Sequence, residues 1–156
     1  MLDPRLAAEG RPTRSRRLAF AVVDGSDHGW RALAWTIGYA GALDGTAVHV
    51  VAHVRALPWF LGAEEASGIL LTQSVTGDPE APKSLLRAAR SACLEAGVAT
   101  TGSCTTGGST RQLIRLAGER RPDIVVLGSM GVFTGLATRR ISAALSRRGI
   151  PVMIVP

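Results

Sequence analysis

The sequence predicts an α/β domain built on an open, all-parallel sheet with helices on both faces. Three observations carry that expectation. Short, continuous apolar runs at residues 18–23 and 124–127 have the length and composition of strands buried on both sides. Between the strand-like runs lie segments whose apolar residues recur at three- and four-residue steps, the period of a helix. The alternation is β-α-β-(loop)-α-β-α-β-α-β, and parallel strands joined by right-handed crossovers satisfy it.

The elements follow in order. Residues 1–17 are polar, contain Pro4 and Pro12 and have no period, so they read as a flexible arginine-containing arm ahead of a single domain at 18–156. The first strand is expected at 18–23. Asp24, Gly25 and Ser26 then turn the chain, and Asp27 is placed to cap the next helix. From His28 to about Ala42, Trp30, Leu33, Ala34, Ile37 and Gly41 form one helical face. Asp44 and Gly45 end that helix, and residues 47–54 read as the second strand. Residues 55–80 have no clean period, and Trp59 and Phe60 within them are candidates for an interface.

Pro82 opens a second helix running to about Ala96, with Gly97 as its C-cap. A threonine-rich third strand is expected at 98–104. Gly107 and Gly108 turn into a helix over 109–120 that buries Leu113, Ile114, Leu116 and Ala117. Pro122 and Asp123 precede the fourth strand at 124–127. A glycine loop, a short helix to Arg148 and a strand at Val152–Val155 complete the domain.

Composition excludes several classes. With 46% hydrophobic and 19% charged residues, the chain has enough apolar material for a core. No apolar run reaches the roughly 18–20 residues that a membrane span needs. Residues 1–17 lack the apolar core of a secretory signal. Cys93 and Cys104 make no disulfide framework and suit a reducing cytoplasm. The net charge of +6 comes from eighteen basic residues of which only Lys83 is lysine. They are scattered along the sequence, aromatics are 4%, and no base-reading motif occurs, so no nucleic-acid partner is expected. His28, His49 and His53 form no metal set, because no acidic or thiol partner accompanies them.

Ligands of such sheets sit beyond the carboxyl ends of the strands, where strand order reverses. Two loops have suitable residues there: Asp24-Gly25-Ser26 after the first strand and Gly128-Ser129-Met130-Gly131 after the fourth. About a hundred residues separate them, so they meet only if the first and fourth strands are neighbours. A carboxylate beside one loop and free backbone N–H groups in the other suit a ribose hydroxyl and a phosphate. Asp24 is either a ribose ligand or a turn-former. Gly128 and Gly131 are either phosphate binders or parts of a tight turn.

The segments AVVDGS (21–26), AVHVVAHV (47–54), DIVVLGSMG (123–131) and IPVMIV (150–155), with Gly107 before a helix, resemble the universal stress protein family over residues 18–155. The resemblance implies an open parallel five-stranded Rossmann-like sheet of order 3-2-1-4-5, a homodimer through Val152–Val155, and either a nucleotide-binding or a nucleotide-free branch. In the binding branch the resemblance places Val22 and Asp24 in the first contact region and Val54 beside adenine. Leu127, Gly128, Met130 and Gly131 match the first half of the family's phosphate motif.

The second half departs from the family pattern. Counting nine residues from Gly131 without a gap reaches Ile141 and Ser142, which keeps the serine and loses the glycine. A loop shortened by about two residues, the preferred alignment, puts Arg139 and Arg140 there instead. An anion held at the N-terminus of this helix would account for that pair, whose charge otherwise opposes the helix dipole; a solvent-facing pair is the alternative. The reading is a regulatory module binding ATP or AMP, with no metal of its own. A nucleotide-free dimeric scaffold and a weak ATP hydrolase are the alternatives. No Ser-Gly-Gly-x-Asp-Ser, His-Ile-Gly-His or G-x-S-x-G motif supports catalysis.

Overall fold

A computed structural model of the chain describes residues 16–54, 80–106, 110–129 and 135–156. Strands β1 (Arg17–Val23), β2 (Thr46–Val54), β3 (Thr100–Thr106), β4 (Ile124–Gly128) and β5 (Val152–Val155) form one parallel sheet in the order β3-β2-β1-β4-β5. Helices α1 (Asp27–Ala42), α2 (Ala81–Glu95), α3 (Thr110–Arg120) and α4 (Gly135–Ser146) connect them. The expected sheet and strand order are the ones found. All but two residues of the expected arm, and the interface candidates Trp59 and Phe60, lie outside the described residues.

The sheet divides two apolar layers by the parity of its side chains. Phe20, Val22, Val51, Val125 and Leu127 face Leu113 and Ala117 of α3 and Ile141 and Leu145 of α4. Ala21, Val23, Val48 and Val50 face Leu33 and Ala40 of α1 and Ala89 and Cys93 of α2, with Trp30 and Ile37 packed alongside. The register makes the division consistent: Phe20 pairs with His49 and Val125, and Val22 pairs with Val51. Burial of β1 on both faces explains its uninterrupted apolar run. Each large side chain removed from water here contributes about 1.5–3 kcal/mol.

Several boundaries shift by one or two residues from the sequence expectation, and two of the differences have a clear local cause. The helix α1 is capped by Ser26, not Asp27: the Ser26 side chain accepts from the Gly29 amide, while exposed Asp27 adds its charge to the first turn. The third strand begins at Thr100, not 98, because Val98 belongs to the end of α2. There the Val98 amide donates to Cys93 O (2.9 Å) and the Gly97 amide to Leu94 O (2.9 Å). Gly97 holds φ +72, the left-handed conformation this ending requires. Val98 therefore folds back into the α1–α2 layer, where it is 6% exposed.

The two sheet edges have opposite character. On one edge β3 reads TTGSCTT, polar along its length. On the other, β5 is four residues long and leaves Met153 and Ile154 38% and 45% exposed. Among the described residues no helix is long and apolar enough to cross a membrane.

Candidate functional site at the carboxyl end of β1 and β4

Asp24 leaves β1 directly into a turn. Its Oδ1 accepts from the Ser26 amide at 3.0 Å and from the Ser26 hydroxyl at 2.5 Å. The same hydroxyl oxygen accepts from Gly29 N at 3.1 Å. One carboxylate oxygen thus fixes the turn and, through Ser26, the start of α1. The other, Oδ2, makes no hydrogen bond among the described residues, and the side chain is half-buried rather than sealed. Both sequence roles of Asp24 are compatible with this geometry, one for each oxygen.

The pairing of β1 with β4 brings the second loop against the first. At Gly128 the two segments press together. A Cβ on Gly128 would lie 2.5 Å from both the carbonyl carbon and the oxygen of His28, which are rigid backbone. Gly29 is confined in the same way, since a Cβ there would run into Asp24 Oδ1. Beyond Gly128, Ser129 Oγ lies 3.3 Å from His28 Nδ1, and the Ser129 amide donates to Val155 O at 2.6 Å. The end of β4 is tied on one side to the first turn of α1 and on the other to β5. Sequence analysis did not single out His28 and Ser129 as a pair, although their positions beside two loops expected to meet were a usable signal.

The remaining sequence candidates divide. Val22 and Leu127 are core residues, 3% and 1% exposed; a ligand above them meets their strand ends rather than their side chains. Val54 ends β2 and is 6% exposed. Met130 and Gly131 lie outside the described residues. Arg139 and Arg140 are exposed, and α4 starts at Gly135, so they stand a turn inside the helix rather than at its N-terminus. The dipole argument for that pair therefore fails, because the effect is confined to the terminal turn. Ser142 turns its Oγ inward, where it is buried with no hydrogen-bond partner among the described residues, as is Thr138 Oγ1 one turn earlier.

A polar cluster the sequence did not reveal lies between β2 and β3. His49 is fully buried; its Nδ1 is 2.7 Å from Thr101 Oγ1 and its Nε2 2.9 Å from Ser103 Oγ. Its ring packs against Phe20, with centroids 4.8 Å apart. His53 repeats the arrangement with Thr105 Oγ1 at 2.8 Å. Alternation on β3 puts these hydroxyls on the same face as the histidines. Burial, with Arg120 contributing, lowers the His49 pKa from 6.5 to about 4. Among the described residues no group of three or more His, Cys, Asp and Glu could hold a metal ion.

The fold and these loops define a doubly wound α/β domain whose loops converge at the point where strand order reverses. The universal stress protein family model matches residues 19–156, and the chain belongs to that family. The structure is similar to that of a universal stress protein family member from Burkholderia pseudomallei, at 19% identity and TM-score 0.63 over 93% of this chain and 99% of that one. It is similar to an Arabidopsis thaliana family protein with AMP bound, at 20% identity and TM-score 0.59 over 89% and 90%. It is also similar to an Archaeoglobus fulgidus universal stress protein in complex with dAMP, at 19% identity and TM-score 0.56 over 90% and 97%. No curated protein sequence matches the chain.

Proposed function

We propose that this protein is an adenine-nucleotide-binding regulatory module that holds its ligand mainly through the adenosine part. The observation that carries the reading is the junction of the Asp24 turn with Gly128, at the carboxyl ends of adjacent β1 and β4. In this reading Asp24 Oδ2 receives the ribose hydroxyls while Oδ1 holds the turn. Family members with AMP and dAMP bound lend support by similarity of fold. Phosphates are engaged weakly, because the second motif glycine is replaced and Ser142 Oγ is buried within the domain. Arg139 and Arg140, whose side chains are long enough to reach back from α4, supplement the Gly128 loop in this reading. The module signals, in this reading, by occupancy rather than by turnover. The two free thiols, buried Cys93 and exposed Cys104, suit a reducing cytoplasm.

Calorimetric titration tests the division between adenosine and phosphate. ATP is expected to bind no more than about tenfold tighter than AMP, roughly 1.4 kcal/mol. Replacing both Arg139 and Arg140 by alanine should remove most of that difference and leave adenosine affinity nearly unchanged. A much larger ATP preference that survives the double substitution contradicts this division. No binding of any adenosine compound favours the nucleotide-free scaffold.

Assembly follows from the β5 edge. Met153 and Ile154 sit exposed on a strand with one unpaired side, an arrangement that invites pairing with a second copy. A homodimer through Val152–Val155 is expected at micromolar concentration by light scattering. A stable monomer, or a dimer that persists when this strand is deleted, overturns it.

A further inference from the structure

We propose that the outer face formed by α3 and α4 is a docking surface for nucleic acid, gripped through backbone phosphates without reading sequence. The basic residues are scattered along the chain, but the fold gathers them. Beside Arg139 and Arg140, this face carries Arg111 and Arg115 on α3, Arg121 just beyond it, and Arg147 and Arg148 beyond α4, all exposed. The two helices carry one acid, Glu119, which pairs with Arg115 at 3.5 Å, and Asp123 beyond Arg121 is engaged by the Leu18 amide.

The opposite face is an internal control. On and beside α1 and α2, Arg31, Lys83, Arg87 and Arg90 are matched by Asp27, Asp44, Glu80 and Glu95. A preference for arginine over lysine acts on both faces alike, so it does not explain why one is balanced and the other strongly positive. The positive face is also a fixed scaffold. Arg148 reaches across from the end of α4 to donate to Ile114 O of α3 at 3.2 Å, and its guanidinium lies over Gly118.

The chemistry of the face selects among anionic partners. Protein interfaces are built round aromatic and apolar anchors, whereas the outward residues described on these helices include Arg111, Gln112, Arg115, Arg139 and Arg140, with Ala143 and Ser146 between charges on α4. Membrane-surface helices insert an apolar face, but the apolar faces of α3 and α4 are spent on the sheet core. Planar guanidinium forks matched to phosphate oxygens remain, with nothing beside them to read a base. Arg139 and Arg140 also serve the proposed phosphate contact, so Arg111 and Arg147 report on this surface alone.

The test is fluorescence anisotropy of the full chain with a labelled 30-base-pair duplex of mixed sequence. Wild-type protein should bind different sequences alike, with Kd of about 10⁻⁶–10⁻⁴ M at physiological salt. The logarithm of affinity should fall with the logarithm of salt by about 0.9 per phosphate contacted. Arg111→Glu with Arg147→Glu should weaken binding at least tenfold and flatten that slope by about two contacts' worth. Arg87→Glu with Arg90→Glu, the same change of net charge on α2, should cost less than threefold. Circular dichroism checks folding, and Arg111→Gln with Arg147→Gln should give a smaller loss in the same direction. Equal losses from the two charge reversals, or no binding by the wild type, overturn the proposal. So does tighter binding to phosphatidylserine vesicles or to polyglutamate than to the duplex, because the face would then serve a membrane or an acidic protein.

Discussion

Stability is expected to fall by about 3 kcal/mol between pH 7 and pH 4 through one buried side chain, His49. The imidazole is sealed between β2 and β3, against Phe20, with both nitrogens engaged by hydroxyls. A neutral ring suits this site: one nitrogen donates, the other accepts, and either hydroxyl can adapt. A charged ring must leave water for an apolar layer, which is why burial is the larger cause of its lowered pKa and Arg120 the smaller. The sign follows from the two states. Above the unfolded value of 6.5 the ring is neutral in both, and the contribution is fully present. As pH falls below 6.5 the unfolded chain takes up a proton that the folded chain refuses, until the folded value of about 4 is reached.

Urea unfolding at pH 7, 6, 5 and 4 should show this loss in the wild type. In His49→Gln, whose amide keeps a donor and an acceptor, the pH dependence should be shallower by about the same amount. Equal pH profiles, or an NMR titration placing the folded His49 near 6.5, contradict the account.

The fold was legible because its strands are written as local patterns. The runs at β1, β2 and β4 are apolar enough to be recognised without partners, and the helices show their period. What failed locally did so for local reasons. Val98 looks like a strand residue, but the hydrogen bonds ending α2 claim it. Asp27 looks like a cap, yet Asp24 holds the Ser26 hydroxyl in position one residue earlier.

The site was legible in part. That the loops after β1 and β4 should meet followed from strand order, and Gly128 pressed on His28 shows how closely they do. What escaped sequence reasoning depended on register or on helix phase. The match of His49 and His53 to Thr101, Ser103 and Thr105 needs the β2–β3 pairing, which no single segment contains. The placing of Arg139 and Arg140 needed the true start of α4. The arginines of α3 and α4 are distant in sequence and become one surface only when both helices pack on the same side of the sheet.

Asp24 carries the central claim, and its two oxygens allow its two roles to be separated. Oδ1 is committed to Ser26, so Asp24→Ala should loosen the turn as well as the ligand, at a stability cost of about 0.5–1.5 kcal/mol for a lost hydrogen bond. Asp24→Asn can keep an acceptor toward Ser26 but puts an amide where Oδ2 would receive the ribose hydroxyls. Removing a charge-assisted hydrogen bond of that kind is worth about 1.5–3 kcal/mol, or roughly 10- to 150-fold in affinity. The decisive measurement is calorimetric titration of AMP into wild-type, Asp24→Asn and Asp24→Ala protein, with unfolding curves recorded beside it. The account predicts that both variants lose affinity by this amount while only the alanine variant loses stability. Undiminished AMP affinity in a folded Asp24→Asn protein would contradict it and leave Asp24 a turn residue alone.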